Sequence, residues 1–129
     1  MSNYTQLALH IDGEWLQSAS GGSQAVSNPA DDTILGELPL AGIPELDRAL
    51  AAAERGFKVW KRRSAHERYL LLRQVAVLVR ERHARLAELM TLDQGKPLSE
   101  ARMEAKAAAD HIERYAEEGR RAYGRVIAP

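Results

Sequence analysis

Hydrophobic and polar residues alternate with a period of two early in the chain and with a period near 3.6 later. The pattern therefore predicts strands first and helices afterwards. In residues 7–16, Leu9 and Ile11 alternate with His10, Asp12-Gly13 supplies hairpin-turn chemistry, and Trp15 follows, so a strand–turn–strand is expected. Residues 17–24 are small and polar around Ser20-Gly21-Gly22-Ser23, which predicts an exposed loop without the glycine spacing of a phosphate cradle. A second hairpin is expected where residues 25–28 lead into Pro29-Ala30-Asp31-Asp32 and residues 33–40 leave that turn.

From Pro44 the spacing of Leu46, Ala49, Leu50, Ala53, Phe57 and Trp60 predicts an amphipathic helix. Pro44 suits its first position, where a missing N–H has no intrahelical partner, and Glu45 and Asp47 suit the positive end of the helix dipole. Ser64-Ala65-His66-Glu67 fits a capping box. The apolar stripe Leu71, Leu72, Val75, Leu78, Val79, Leu86 and Leu89 then predicts one long second helix, ended by Asp93-Gln94-Gly95-Lys96-Pro97. A third helix is expected from Leu98 or Ser99 to a point between Gly119 and Gly124, with Ala101, Ala105, Ala108, Ala109, Ile112, Tyr115 and Ala116 facing inward. Residues 125–129 read as an extended exit, the start of a segment whose partner would come from a continuing chain. The organisation expected is thus β hairpins in residues 7–40 and a helical layer in 44–123, both within one incomplete domain spanning 1–129.

Composition narrows this picture. Apolar residues make up 45% of the 129, but 21 of them are alanine, so large side chains for a core are scarce. The length suits one domain or part of a larger one. Eighteen basic and eighteen acidic side chains cancel, which removes any global electrostatic reason to expect a nucleic-acid or anionic-membrane partner. The balance hides an asymmetry: residues 1–47 carry seven acids and no Lys or Arg, and residues 48–129 carry all eighteen bases with eleven acids. A solvated acidic loop region beside a basic helical face is the expected form of this asymmetry, attraction between the halves being the alternative. The absence of cysteine excludes a disulfide framework, a thiolate metal site and a cysteine nucleophile within these residues. No apolar run approaches the roughly 18–20 residues of a spanning helix. The first ten residues lack the basic and apolar regions of a secretory signal, so a cytoplasmic location is expected.

Candidate chemistry is sparse. His10, His66, His83 and His111 are too far apart in sequence to form the paired ligands that one helix presents to a metal. Asp31 with Asp32, and Glu117 with Glu118, are sequence neighbours that point apart, whereas acid–base work needs convergence; they read as a turn and a solvated helix face. The basic series Lys58, Lys61, Arg62, Arg63, Arg68, Arg73, Arg80, Arg82 and Arg85 is interleaved with Glu54, Glu67, Glu81 and Glu88. Its aromatics fit an apolar stripe better than a stacking platform, so nucleic-acid binding is not expected. No dinucleotide fingerprint, P-loop or nucleophile elbow occurs.

The residues do carry a resemblance. Ile11-Asp12-Gly13-Glu14-Trp15, then Asn28-Pro29-Ala30 with Ile34-Leu35-Gly36-Glu37, resemble the opening hairpins of the NAD(P)-dependent aldehyde dehydrogenase superfamily, with Asp31-Asp32 in place of the usual Thr-Gly. Asp47-Arg48-Ala49, Ala51-Ala52-Ala53, Phe57 and Trp60 resemble its first helix, and Arg68 with Leu71-Leu72 its second. The most specific stretch is Leu92-Asp93-Gln94-Gly95-Lys96-Pro97-Leu98 with Glu100-Ala101. Tyr115-Ala116-Glu117-Glu118 and Tyr123-Gly124-Arg125-Val126-Ile127 are similar to the succinate-semialdehyde dehydrogenase branch. The matches are short, but they fall in order and at the right spacing.

The resemblance implies an α/β fold, in which these residues form the N-terminal part of a Rossmann-like cofactor-binding domain, roughly the first quarter of a member's length. It implies oxidation of an aldehyde, such as succinic semialdehyde, to a carboxylic acid through a cysteine thiohemiacetal and thioester, with NAD or NADP as cofactor and a homodimer or homotetramer as the assembled state. The nucleophile, the catalytic glutamate, the oxyanion asparagine and the cofactor-binding residues all fall beyond residue 129. The segment alone is expected to be inactive, with no catalytic and no cofactor-binding residue of its own. One site is implied within it, a monovalent cation held by the backbone of Val26 and the carboxylate of Asp93; Asp93 otherwise reads as a turn acid beside Gly95. A second hypothesis is a non-catalytic helical interaction module, or a truncated paralogue that binds a full-length subunit.

Overall fold

Asp12 and Gly13 take positive φ angles of 55° and 81°, the pair that a two-residue type I′ turn requires. Gly has no Cβ to resist that region and Asp tolerates it, so the chain reverses there as the sequence predicts. The computed structural model describes residues 4–124. The expected exit over residues 125–129 therefore lies outside the described residues. The turn joins β1 (Leu9–Ile11) to β2 (Glu14–Leu16), with Ile11 opposite Glu14 and His10 opposite Trp15. A second antiparallel pair joins β3 (Ser23–Ser27) to β4 (Ile34–Pro39), so β3 begins within the stretch expected to be loop. In its turn the Asn28 side chain accepts the Ala30 N–H at 3.0 Å, and Asp31 accepts the Thr33 N–H and hydroxyl at 3.1 and 2.7 Å. Val26 pairs with Gly36 but Ser27 pairs with Ile34, which leaves Leu35 as the extra residue of a bulge.

Four helices follow: α1 (Ile43–Trp60), α2 (Ala65–Glu81), α3 (His83–Gln94) and α4 (Leu98–Glu118). The chain falls into two compact units, one holding both hairpins, α1 and the 89–97 segment, the other holding α2, the 83–88 segment and α4.

In the first unit α1 starts one residue earlier than expected, which places Pro44 at the second helical position rather than the first. Gly42 is the N-cap, and Glu45 reaches back to accept its N–H at 2.9 Å. The same carboxylate accepts the backbone N–H and the hydroxyl of Ser20. These bonds hold the Glu45 carboxyl below its usual range, the Ser20 hydroxyl being the largest cause and the Gly42 N–H the next. Arg48 pairs with Glu14 at 2.6 Å and Arg55 with Asp12 at 2.7 Å, so two of the N-terminal acids are tied to the first basic residues of α1. The apolar face expected on α1 is present yet stays open among the described residues, with Leu50 60% and Phe57 62% exposed.

In the second unit the capping box forms as the sequence specifies: the Ser64 hydroxyl accepts the Glu67 N–H at 3.2 Å, and the Glu67 carboxylate accepts the Ser64 N–H at 2.8 Å. The single long helix expected over residues 64–92 is two helices. Arg82 leaves helical geometry at φ −98°, ψ 6°, while its N–H still reaches the Leu78 carbonyl and its own carbonyl accepts from Leu86. The break falls in the widest gap of the apolar stripe, between Val79 and Leu86, where polar side chains prevail and no Gly or Pro announces it.

Helix α4 packs on α2. Ala101, Ala105, Ala109 and Ala116 are buried on α4, and Ala76 is buried on α2. This seam corrects two expected inward positions, because Ala108 is exposed and Tyr115 is 70% exposed. At about 100° per residue, a stripe centred on Ala105, Ala109 and Ala116 leaves both on its flank. Above the seam Arg80 of α2 donates to Asp110 at 2.9 Å and to Glu113 at 2.6 Å. Tyr69, buried, lies under the guanidinium of Arg120 and accepts a hydrogen bond from Arg73.

Candidate functional site

The most specific sequence stretch folds as the turn from α3 to α4, its residues up to Pro97 belonging to the first unit. Gly95 caps α3 with φ 71° and donates its N–H to the Thr91 carbonyl at 2.9 Å, the single 5→1 bond of a left-handed helix cap. A Cβ there would come within 2.9 Å of the Pro29 ring, so glycine is required both by conformation and by the close approach of the β3–β4 turn. The glycine of Gly-Lys-Pro thus has a backbone cause.

Asp93 sits exposed in the last turn of α3, where the negative end of the helix dipole disfavours another negative charge. Its carboxylate accepts a hydrogen bond from the Tyr4 hydroxyl at 2.8 Å. Burial, the hydrogen bond and the charge of Asp93 together push the Tyr4 phenol up to about 12. Val26, the other residue of the candidate cation pair, is half-buried on β3 beside the bulge. The turn that β3 enters is the one whose Pro29 meets Gly95, so the two strands of sequence carrying Val26 and Asp93 belong to the same unit and touch through that turn. The donor set, a carboxylate and a peptide carbonyl, is the hard oxygen chemistry that alkali cations take. Among the described residues no three His, Asp or Glu side chains gather as a metal cluster. Tyr4 is the site residue that sequence reasoning missed: it lies 89 positions from Asp93, and nothing in the local pattern around residue 4 signals the pairing.

Several of the remaining candidates have structural partners. His10 stacks on Trp15 with ring centroids 4.5 Å apart, and His66 lies 5.9 Å from Tyr69. Within the basic series Lys58 pairs with Glu54, Arg63 with Glu67 and Arg85 with Glu88, while Lys61 lies over the Phe57 ring. The interleaved acids neutralise the series at those positions, and Arg73 and Arg80 pair with acids of α4 instead. Asp31 is held below its usual range by the Thr33 hydroxyl and N–H, as a turn acid would be. A depression of about 500 Å³ on the second unit is an open groove on α2 lined by Leu70, Arg73, Gln74, Val77 and Leu78, with no nucleophile or general base. Dinucleotides bind at the carboxyl ends of parallel strands. The strand pairs among the described residues are antiparallel. No helix among them is long and apolar enough to cross a membrane.

Two small antiparallel hairpins precede four helices, and the Leu-Asp-Gln-Gly-Lys-Pro stretch carries the chain out of α3 and into α4. The sequence model of the aldehyde dehydrogenase family matches residues 15–129. The chain belongs to that family, as its motifs imply. It is 45% identical over 124 residues to the NADP(+) succinate-semialdehyde dehydrogenase GabD of Escherichia coli K12, an alignment covering 96% of this chain and 26% of that protein. It is 44% identical over 117 residues to the 3-sulfolactaldehyde dehydrogenase of Pseudomonas putida, covering 91% of this chain and 24% of the relative. Among solved structures, an NADP-dependent enzyme of E. coli superposes with a TM-score of 0.87 at 45% identity, over 98% of this chain and 26% of that one. The chain spans about a quarter of the length of the curated relatives it matches.

Proposed function

We propose that this chain is the N-terminal quarter of an NAD(P)-dependent aldehyde dehydrogenase whose substrate is an aldehyde bearing a second, anionic group, with succinic semialdehyde as the leading candidate. The observation that carries the reading is the 45% identity, over nearly the whole chain, to an enzyme named for succinate semialdehyde and NADP(+). The relative named for 3-sulfolactaldehyde supports the broader class, since a sulfonate replaces the carboxylate as the second charge. The route proposed is addition of a cysteine thiolate to the carbonyl carbon, followed by hydrolysis of the resulting thioester. NAD or NADP supplies the hydride acceptor when bound. The cysteine of this route is not among these 129 residues. The work of this chain is to fold: the α2–α4 seam in one unit and the Gly95 turn in the other are scaffold elements for catalytic machinery carried elsewhere in the enzyme, which works as a dimer or tetramer in the cytoplasm.

The test replaces the matched quarter of the E. coli relative with this chain. The chimera is expected to oxidise succinic semialdehyde with NADP+, and the isolated 129-residue chain to show no turnover. Turnover by the isolated chain, or a folded chimera inactive beside an active parent, would overturn the reading. Under the same proposal the Val26 carbonyl and Asp93 carboxylate hold a monovalent cation, supported by the acid's position at the negative end of α3. Sodium-dependent protection of the α3–α4 turn against hydrogen exchange, lost in Asp93→Ala while turnover persists, is the expected result.

A further inference from the structure

We draw no further inference here: the strongest candidate, the open apolar groove on α2 between Leu70, Val77 and Leu78 with Arg73 along its edge, carries nothing because nothing in the structure shows what covers it.

Discussion

Ala109 offers the sharpest test of how this layer holds together. It is fully buried on α4, in a seam whose neighbours along the helix, Ala105 and Ala101, are 3% and 0% exposed, and α2 contributes the buried Ala76. Changing Ala109 to Leu adds three carbons. If the seam had room, burying them at ~0.8 kcal/mol per methylene would stabilise the layer by about 2 kcal/mol. The seam is lined by methyl groups attached directly to backbone, so room comes only by moving the helices apart, and overpacking of this kind costs about 1–3 kcal/mol. The second effect wins where close approach is what packs the helices, and a net loss of about 2 kcal/mol is expected, roughly a 30-fold rise in local opening. Ala108→Leu, one residue away on the exposed flank, should change stability by no more than ~0.5 kcal/mol. Amide hydrogen exchange of α2 and α4, measured in the chimera with the E. coli relative, separates the two: exchange should accelerate across both helices for Ala109→Leu and stay unchanged for Ala108→Leu. Equal exchange in the two variants, or slower exchange in Ala109→Leu, would refute the close-packed seam.

Gly95→Ala should destabilise by about 1–2 kcal/mol from its left-handed backbone alone, with the Pro29 contact adding to that. Gly56→Ala should instead stabilise α1 by up to ~1 kcal/mol, because its new Cβ meets nothing within 4 Å; thermal unfolding of the two variants should shift in opposite directions. Arg80 holds the Asp110 carboxyl below its ordinary 3.8, so the pair stabilises the fold above that value and the contribution is lost as pH falls through the lowered folded value. The acid limb of a stability–pH profile should therefore be shallower in Arg80→Met than in the parent. Tyr4 carries the opposite sign: its raised value of about 12 stabilises below 10 and is lost as pH rises towards 12. Phenolate absorbance should show one tyrosine titrating late, and Asp93→Asn should bring it only part of the way back, because burial is the larger cause.

Much of this fold was legible because local chemistry decides it. Asp12-Gly13, Ser64 with Glu67, and Gly95 each act within a few residues, through a turn dihedral, a reciprocal cap or a left-handed stop, and each lies where the pattern put it. The failures share a different cause. The break at Arg82 carries no Gly or Pro, and the facing of Ala108 and Tyr115 is set by where α2 lies, which no periodicity within α4 specifies. The same holds for Tyr4 on Asp93 and for Arg80 between Asp110 and Glu113, pairs 89 and 30–33 residues apart that only the tertiary arrangement brings together.

Family membership was legible for a further reason: the turn and cap residues that fix a backbone are also the residues a family motif is made of. Gly95 is the clearest case, since its φ and the Pro29 contact tie one motif, Gly-Lys-Pro, to another, Asn-Pro-Ala, in space. Scaffold motifs of this kind identify the fold while naming no substrate. The substrate class rests instead on what the relatives are named for, and the chimera tests the scaffold alone, because exchanging this quarter for that of the relative leaves the relative's nucleophile and substrate site in place.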